Sequence, residues 1–496
     1  MAFKTKTNTP ARKGPAIAVL SVLSFVGLIA GSEPAASQSV EPLRVLMLVG
    51  GGPFHDYYTQ KRQLEIGLNE RIGNLELTID HNEGKGKQDM AFKFQSLMND
   101  DWGRNFDAVI YNNCNLDMGD AKHVENIMAA HAEHQVPAVL LHCPMHLHRT
   151  TTTKWYDFTG AVSYQHEVDR VPFTIETLEP NHPIMVNFPG TWRTPEGELY
   201  MPIELKDKAT PLARAYSGEA AEFFPIAWTH EYEGVRVFAS TLGHHTPTMG
   251  ADVNLNLVAA GLLWATDKLE DDGSPSEGYA GERGLGWVSL QEDEHLNGWR
   301  ASKETNWAEL KWWERTDVWP TRQNTGTEAF QILPNETGSS SIVVEGPQSY
   351  LFYGGPVDGG DYRNFEFKVD AYTYPGSASG IYFHTRFKED GPPTFGYEAQ
   401  INASRPGESK TGSLVGAREV RTAAHGDNEW FNYYIKVEGK TITVKVNGET
   451  VNEYTEPANV DGPGKLNRGT ISLESVGSDS RVYFRNPMIR LLPDSD

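Results

Sequence analysis

Two hydrophobic periods divide this chain. In its first half, short continuous apolar runs alternate with stretches whose apolar positions recur every three or four residues. Leu43-Arg44-Val45-Leu46-Met47-Leu48-Val49 runs into Gly50-Gly51-Gly52, the pattern of a buried parallel strand feeding a loop. Residues 57–71 show helical spacing through Leu64, Leu68 and Ile72. A second strand is expected at 75–79, a third at 107–111, a helix over 118–135 that breaks at Pro137, and a fourth strand at Ala138-Val139-Leu140-Leu141 that ends in His142. Later, 225–229 and 235–241 flank a polar turn closed by Gly234, which reads as a hairpin or strand pair. Strands alternating with helices imply an α/β doubly wound sheet.

The period then changes to two. Asn364-Phe365-Glu366-Phe367-Lys368-Val369-Asp370 alternates cleanly, as do residues 431–437 and 441–446, the last running into the hairpin signal Asn447-Gly448. Many short strands without a helical stretch indicate an all-β sandwich. Between the two halves, 267–284 is polar and rich in Gly, Pro and Ser, so it reads as a linker crossed by few contacts. The expected organisation is multidomain: an α/β domain over 43–266, the linker, and a β-sandwich over 285–493.

The N-terminus differs in kind. Lys4, Lys6, Arg12 and Lys13 precede an apolar run over 16–30 and a small-residue stretch over 31–39, so residues 1–38 read as a signal peptide and the protein as exported, periplasmic or secreted. An uncleaved anchor is the competing reading, although the run is short for a membrane span. A hydrophobic content of 39% with 22% charged residues suits a globular chain. The net charge of −22 grows more negative once the basic leader is removed; such a field repels nucleic acid and anionic membranes and leaves neutral sugars unaffected. Cys114 and Cys143 each follow an apolar run. They form either one disulfide, which an exported protein allows, or two half-buried thiols.

The candidate chemistry of the first half lies at strand ends, where open α/β sheets bind ligands. His55 follows the triple glycine, His142 ends the fourth strand, and Glu231 and His244 leave the two runs of the hairpin. These four are the expected sugar-binding or acid/base groups of one pocket; alternatively some of them only cap strand ends. The triple glycine lacks the G-x-G-x-x-G spacing of a dinucleotide site, and Pro53 removes a phosphate-facing N–H. His142, His146 and His148 suit neither a helix face nor a strand face as a joint zinc site. Phe224-Pro225-Ile226-Ala227-Trp228-Thr229-His230, Gly234-Val235-Arg236-Val237-Phe238 and Leu242-Gly243-His244 resemble the ThuA-like (trehalose utilisation) family, as do Trp155-Tyr156-Asp157-Phe158-Thr159-Gly160-Ala161, Asn181-His182-Pro183-Ile184 and Glu198-Leu199-Tyr200. The resemblance implies a class I glutamine-amidotransferase-like fold. That fold's usual cysteine nucleophile needs flanking glycines. Cys143 lacks them and is followed by Pro144, so a Cys-His-Glu amidase is rejected.

In the second half, alternation places Tyr382, His384 and Arg386 on one face of their strand, and Glu398 and Gln400 on one face of theirs. If the strands are neighbours, these residues form a polar floor with Tyr382 for sugar stacking. Leu296-Asn297-Gly298-Trp299, Ser379-Gly380-Ile381-Tyr382, Gly396-Tyr397-Glu398-Ala399-Gln400-Ile401, Lys410-Thr411-Gly412-Ser413-Leu414 and Phe484-Arg485-Asn486 resemble the 3-keto-disaccharide hydrolase family, a concanavalin-like jelly roll. Where that family often carries Q-D-H-G, this chain has Glu474-Ser475-Val476-Gly477. The resemblance implies action on oxidised disaccharides or glycosides. A 3-keto sugar has an acidified C2–H, so the expected catalytic groups are Glu398 or His384 as base/acid, and Arg386 or Lys410 at the enolate; a divalent metal is an alternative to the cation. Tyr382 and Gln400 are expected to bind substrate. The reading from another class is a ThuA-like enzyme carrying a noncatalytic carbohydrate-binding jelly roll.

Overall fold

The computed structural model describes residues 40–82, 90–99, 101–148, 151–201, 203–291, 296–302, 329–333, 340–477 and 479–493. The expected signal peptide lies outside the described residues. The first half is built on a nine-stranded sheet. The strands Leu75–Asn82, Leu43–Gly51, Ala108–Cys114, Ala138–Leu141 and Val235–Ser240 lie side by side in that order and pair in parallel. Glu222–Tyr232, Thr210–Ser217, Thr174–Thr177 and Thr191–Arg193 extend the sheet antiparallel. Helix Ala121–His134 covers the face that carries Tyr111, whose hydroxyl hydrogen-bonds the buried His131 ring at 2.7 Å. Helix Asp252–Ala265 covers the other face so closely that a Cβ on Gly261 would come 2.2 Å from the Phe238 ring. Apolar groups on both faces explain why the central strands read as unbroken hydrophobic runs.

The hairpin forms as expected, with Glu233 and Gly234 at positive φ in its turn. Its geometry moves one expected site residue. The strands are antiparallel, so Glu231 pairs with Arg236 beside the turn, whereas His244 follows the far end of the Val235–Ser240 strand. At about 3.3 Å per residue, the two lie roughly 20 Å apart along the sheet.

The second half is two sheets packed face to face. One has eight strands. The other has five, in the order Trp299–Ala301, Ser349–Tyr353, Thr470–Ser475, Ala378–Thr385, Tyr397–Asn402. Phe365 and Phe367 of the larger sheet and Ile381, Phe383, Ala399, Ile401 and Leu473 of the smaller are all fully buried in the core. The Ala378–Thr385 and Tyr397–Asn402 strands are antiparallel neighbours, with Tyr382 opposite Glu398 and Gly380 opposite Gln400.

The segment expected to carry few contacts is a strap rather than a tether. The Gly73 and Gly281 amides donate to the carbonyls of Tyr279 and Arg71 at 2.9 and 3.0 Å. The Asp252 carboxylate takes Arg71 at 2.6 Å, Arg283, and the Ser289 amide at 2.9 Å. Asn256 donates to the Trp287 carbonyl at 3.1 Å, and Asp358 accepts from the Thr191 amide at 2.8 Å. A polar composition still permits a packed path when its polar groups are paired in this way.

Candidate functional site

In the α/β half, three of the four expected residues converge at the carboxyl ends of the parallel strands. Gly50 and Gly51, at φ 140° and 144°, let the first strand's end lie against its neighbours, since a Cβ there would come 2.4 Å from the Asn82 carbonyl oxygen and 2.6 Å from that of Cys114. The chain then turns so that the ring centroid of His55 lies 5.0 Å from that of His142 and 4.7 Å from that of His244. His142 occupies the strained turn after its strand, at φ 62° and ψ −100°, a region that non-glycine residues enter only when the surroundings enforce it. Its Nδ1 is bonded to the Thr241 carbonyl at 2.7 Å, which directs Nε2 into the cluster. Buried Gln60 donates to the carbonyls of Gly243 and His244 at 2.8 and 3.1 Å, holding that loop in place.

The carboxylate of this site is Glu198. Its Oε2 lies 3.1 Å from His142 Nε2 and 3.0 Å from His244 Nδ1, and its Oε1 lies 2.8 Å from Arg170 Nε. Burial pushes the Glu198 carboxyl up, but the hydrogen bonds from His142 and His244 outweigh it and hold the group well below the usual carboxylate range. Burial, reinforced by the neighbouring imidazoles, lowers His55 far below an ordinary histidine. Burial also lowers His244, against the pull of Glu198. Tyr57 Oη lies 3.1 Å from His55 Nδ1, and Tyr200 Oη lies 3.1 Å from His142 Nε2.

Glu231 is not in this site; it is exposed and lies 3.5 Å from Lys208. His146 stacks on Tyr200 with centroids 3.8 Å apart, and His148 packs edge-on against Trp155, so of the three clustered histidines His142 alone meets His55 and His244. Cys143 is disulfide-bonded to Cys114, which removes the thiol that an amidase would need. The segment Glu198-Leu199-Tyr200 carried a family resemblance in the sequence, but no spacing rule connects position 198 with 55, 142 and 244.

In the β half, the outward face of the smaller sheet carries a second constellation. Tyr382 Oη donates to Glu398 Oε2 at 2.8 Å. With its amide turned to donate, Gln400 reaches Glu398 Oε1 at 2.9 Å. Across the sheet, Tyr350 Oη donates to Glu474 Oε1 at 3.3 Å. The two carboxylates meet over Gly380, where a Cβ would come 2.9 Å from Glu474 Oε2 and 3.0 Å from Glu398 Oε1. Burial and the charge of Glu398 push the Glu474 carboxyl up to about 8. Burial also raises Glu398, opposed by the Tyr382 hydrogen bond. Of the two carboxyls Glu474 is thus the one pushed far enough to hold its proton at neutral pH, and the charge of Glu398 is one of the causes. The buried hydroxyl of Ser472, on the same face, has no protein partner among the described residues.

The other expected groups of this half do not join the pair. A bulge between Tyr382 and Thr385 breaks the alternation. His384, at φ 54°, is buried against Phe365 with both nitrogens bonded, Nε2 to the Arg363 carbonyl and Nδ1 to the Asn467 amide. Burial lowers it to about 4. Arg386 lies over the Phe395 ring at 4.8 Å, and Lys410 Nζ donates to the Arg405 carbonyl at 2.7 Å. Sequence reasoning missed the partner Glu474, noted only as a departure from a family motif.

Residues 81–265 match the family model described as trehalose utilisation, ThuA. Residues 286–490 match the model described as a 3-keto-alpha-glucoside-1,2-lyase-like domain. The chain therefore carries two carbohydrate-related domains, a ThuA domain followed by a β-rich 3-keto-glucoside lyase-like domain. Among solved structures it is similar to a candidate ThuA-like protein from Parabacteroides merdae ATCC 43184, at 15% identity over 49% of this chain and 99% of that one, with a TM-score of 0.38. It is also similar to a candidate glycosyl hydrolase from Parabacteroides distasonis ATCC 8503, at 18% identity over 42% and 94%, TM-score 0.31. A third is the carbohydrate binding module CBM66 from Bacillus subtilis, at 13% identity over 32% and 91%, TM-score 0.24. No curated protein matches the chain.

Proposed function

We propose that the β half cleaves 3-keto-glycosides by C2 proton abstraction, elimination and hydration, and that the α/β half acts on the same or a related sugar. The observation that carries this reading is the carboxyl pair Glu398–Glu474 on either side of Gly380, with Tyr382 on one member and Tyr350 on the other and Glu474 pushed up to about 8 by burial and the charge of Glu398. Pairs of titratable groups held in different states mark base and acid. A C3 ketone acidifies C2–H, and Glu398 takes that proton. The released electron pair forms C1=C2 as the C1–O bond breaks, and Glu474 gives its proton to the departing oxygen. Hydration reverses the roles: Glu474 accepts a proton from water as its oxygen bonds C1, and Glu398 returns its proton to C2. The net change is hydrolysis without an oxocarbenium ion. Tyr382 and Tyr350 hold the two carboxyls, and the unpartnered Ser472 hydroxyl on the same face takes the place at the C3 oxygen for which the sequence suggested Arg386 or Lys410.

The same reading takes the α/β half as class I glutamine-amidotransferase-like and the β half as a concanavalin-like jelly roll. The parallel strands with polar groups at their carboxyl ends and the two facing antiparallel sheets support it. Export is part of the proposal, supported by the N-terminal pattern and by the Cys114–Cys143 disulfide.

The test is turnover of a 3-keto disaccharide set against its unoxidised parent. Glu398→Gln is expected to keep sugar binding and to lower turnover by roughly 10² to 10⁴, the usual contribution of a positioned base. Deuterium at C2 should slow the wild type. Equal cleavage of the unoxidised sugar, or unchanged turnover in Glu398→Gln with no isotope effect, moves the β half to the binding-module reading.

A further inference from the structure

The cluster at the strand ends of the α/β half has the chemistry of a cation site. His55, His142 and His244 each offer a ring nitrogen, and these atoms all lie within 4.8 Å of one another. Tetrahedral zinc with bonds near 2.0–2.1 Å needs its nitrogens about 3.4 Å apart, so side-chain shifts on the order of 1 Å close the set. The tautomers suit this use. His142 is bonded through Nδ1 to the Thr241 carbonyl, the outer-shell arrangement that makes Nε2, which now faces Glu198 Oε2 at 3.1 Å, the lone-pair donor once a cation takes the place of the proton between them. His55 meets Tyr57 through Nδ1, while its Nε2 is buried without any partner among the described residues. That orphan nitrogen has a cost in a closed site and is accounted for by a ligand. Glu198 Oε2 sits within 3.1 Å of the nitrogens of both His142 and His244, so the carboxylate points at the same centre.

We propose that His55, His142 and His244, with Glu198 as the fourth donor, bind one divalent first-row transition cation, with zinc the natural fit to imidazole and carboxylate ligands. Borderline nitrogen donors select such metals over magnesium or calcium, which take all-oxygen shells. The side of His55, the least buried of the three rings, is where an oxygen of a small ligand reaches the cation as a fifth donor and is polarised. The site stands independently of the carboxylate chemistry in the β half. Tyr57 acts through His55 and is a positioning residue.

The experiment uses the full chain, stripped with chelator and titrated with zinc chloride alone by calorimetry, then with cobalt(II) followed by visible absorption. Wild type should take up one equivalent and show the d–d bands of a low-symmetry cobalt site. His55→Ala, at the half-exposed edge, should bind at least about 100-fold more weakly with unchanged circular dichroism, and Tyr57→Phe about 10- to 100-fold more weakly. Should His55→Ala fail to fold, Tyr57→Phe decides alone. The proposal is overturned if folded wild type takes up no stoichiometric metal, or if the folded variants bind as tightly as wild type.

Discussion

The two halves assemble polar chemistry in opposite ways. In the α/β half, the groups stand at strand ends, and residues 55, 142, 198 and 244 come from four separate stretches that only the order of the sheet brings together. In the β half they stand on a sheet face, where one strand and its neighbour supply Tyr382, Glu398 and Gln400 in register. The chemistry differs accordingly. Imidazoles around one carboxylate make a site that attracts a cation, whereas two buried carboxyls on either side of one glycine make a site that stores a proton. A strand-end site takes its members from topology; a sheet-face site takes most of them from alternation.

The largest expected effect tests the stored proton. Glu474 has a folded-state value raised to about 8, so between its ordinary value and about 8 the native state holds a proton that the unfolded state has lost. Stability therefore falls as pH rises through that window. Glu474→Gln removes this penalty and should gain on the order of 3–5 kcal/mol relative to wild type at pH 9 compared with pH 4, read from denaturant midpoints at both pH values. His131 in the α/β half shows the opposite slope. Burial lowers it to about 4, so the unfolded chain binds the extra proton and stability falls as pH drops from about 6.5 towards 4. An equal pH dependence in wild type and Glu474→Gln would break the comparison.

Next in size is the disulfide, which joins the end of one parallel strand to the turn after another with a sequence separation of 29. Replacing both cysteines by serine should cost about 3–4 kcal/mol by loop entropy. It should weaken the α/β half, and turnover in the β half should persist below the new transition, as differential hydrogen exchange and activity together would show.

His384→Ala separates position from chemistry. Its ring spans the Arg363 carbonyl and the Asn467 amide, so its loss should cost about 1–3 kcal/mol of stability without changing the pH profile or kcat on a 3-keto glycoside. A loss of turnover comparable to that in Glu398→Gln would restore His384 to the chemistry. The smallest effect is expected at Glu231. Its exposed pair with Lys208 should contribute no more than about 1 kcal/mol, and Glu231→Ala should leave zinc uptake unchanged.

Much of the fold was legible because both periods follow directly from burial. Continuous apolar runs marked the parallel strands, and strict alternation marked Tyr397, Ala399 and Ile401 as inward and Glu398 and Gln400 as outward. The errors share a physical origin. Glu231 and His244 were read as neighbours because both leave strands, yet an antiparallel hairpin sends its two strands' outer polar residues to opposite ends. His384 was placed beside Tyr382 by counting in twos, and one bulge residue reversed it. The 267–284 strap looked like a tether because composition reports polarity and is silent on whether polar groups find partners.

Local sequence by itself determined the elements, the change of period between the halves, the hairpin turn at Glu233-Gly234 and the imidazoles at 55, 142 and 244 as candidates, since these depend on steric preference and burial within a few residues. Tertiary structure alone decided that Glu198 completes the imidazole cluster, that Cys143 is held by Cys114, and that Glu474 faces Glu398 across Gly380. The Cys114–Cys143, His142–Glu198 and Glu398–Glu474 pairings join residues 29, 56 and 76 positions apart in the chain, and the charge states that give both sites their chemistry arise from desolvation and neighbouring charges that exist only once the chain has closed around them.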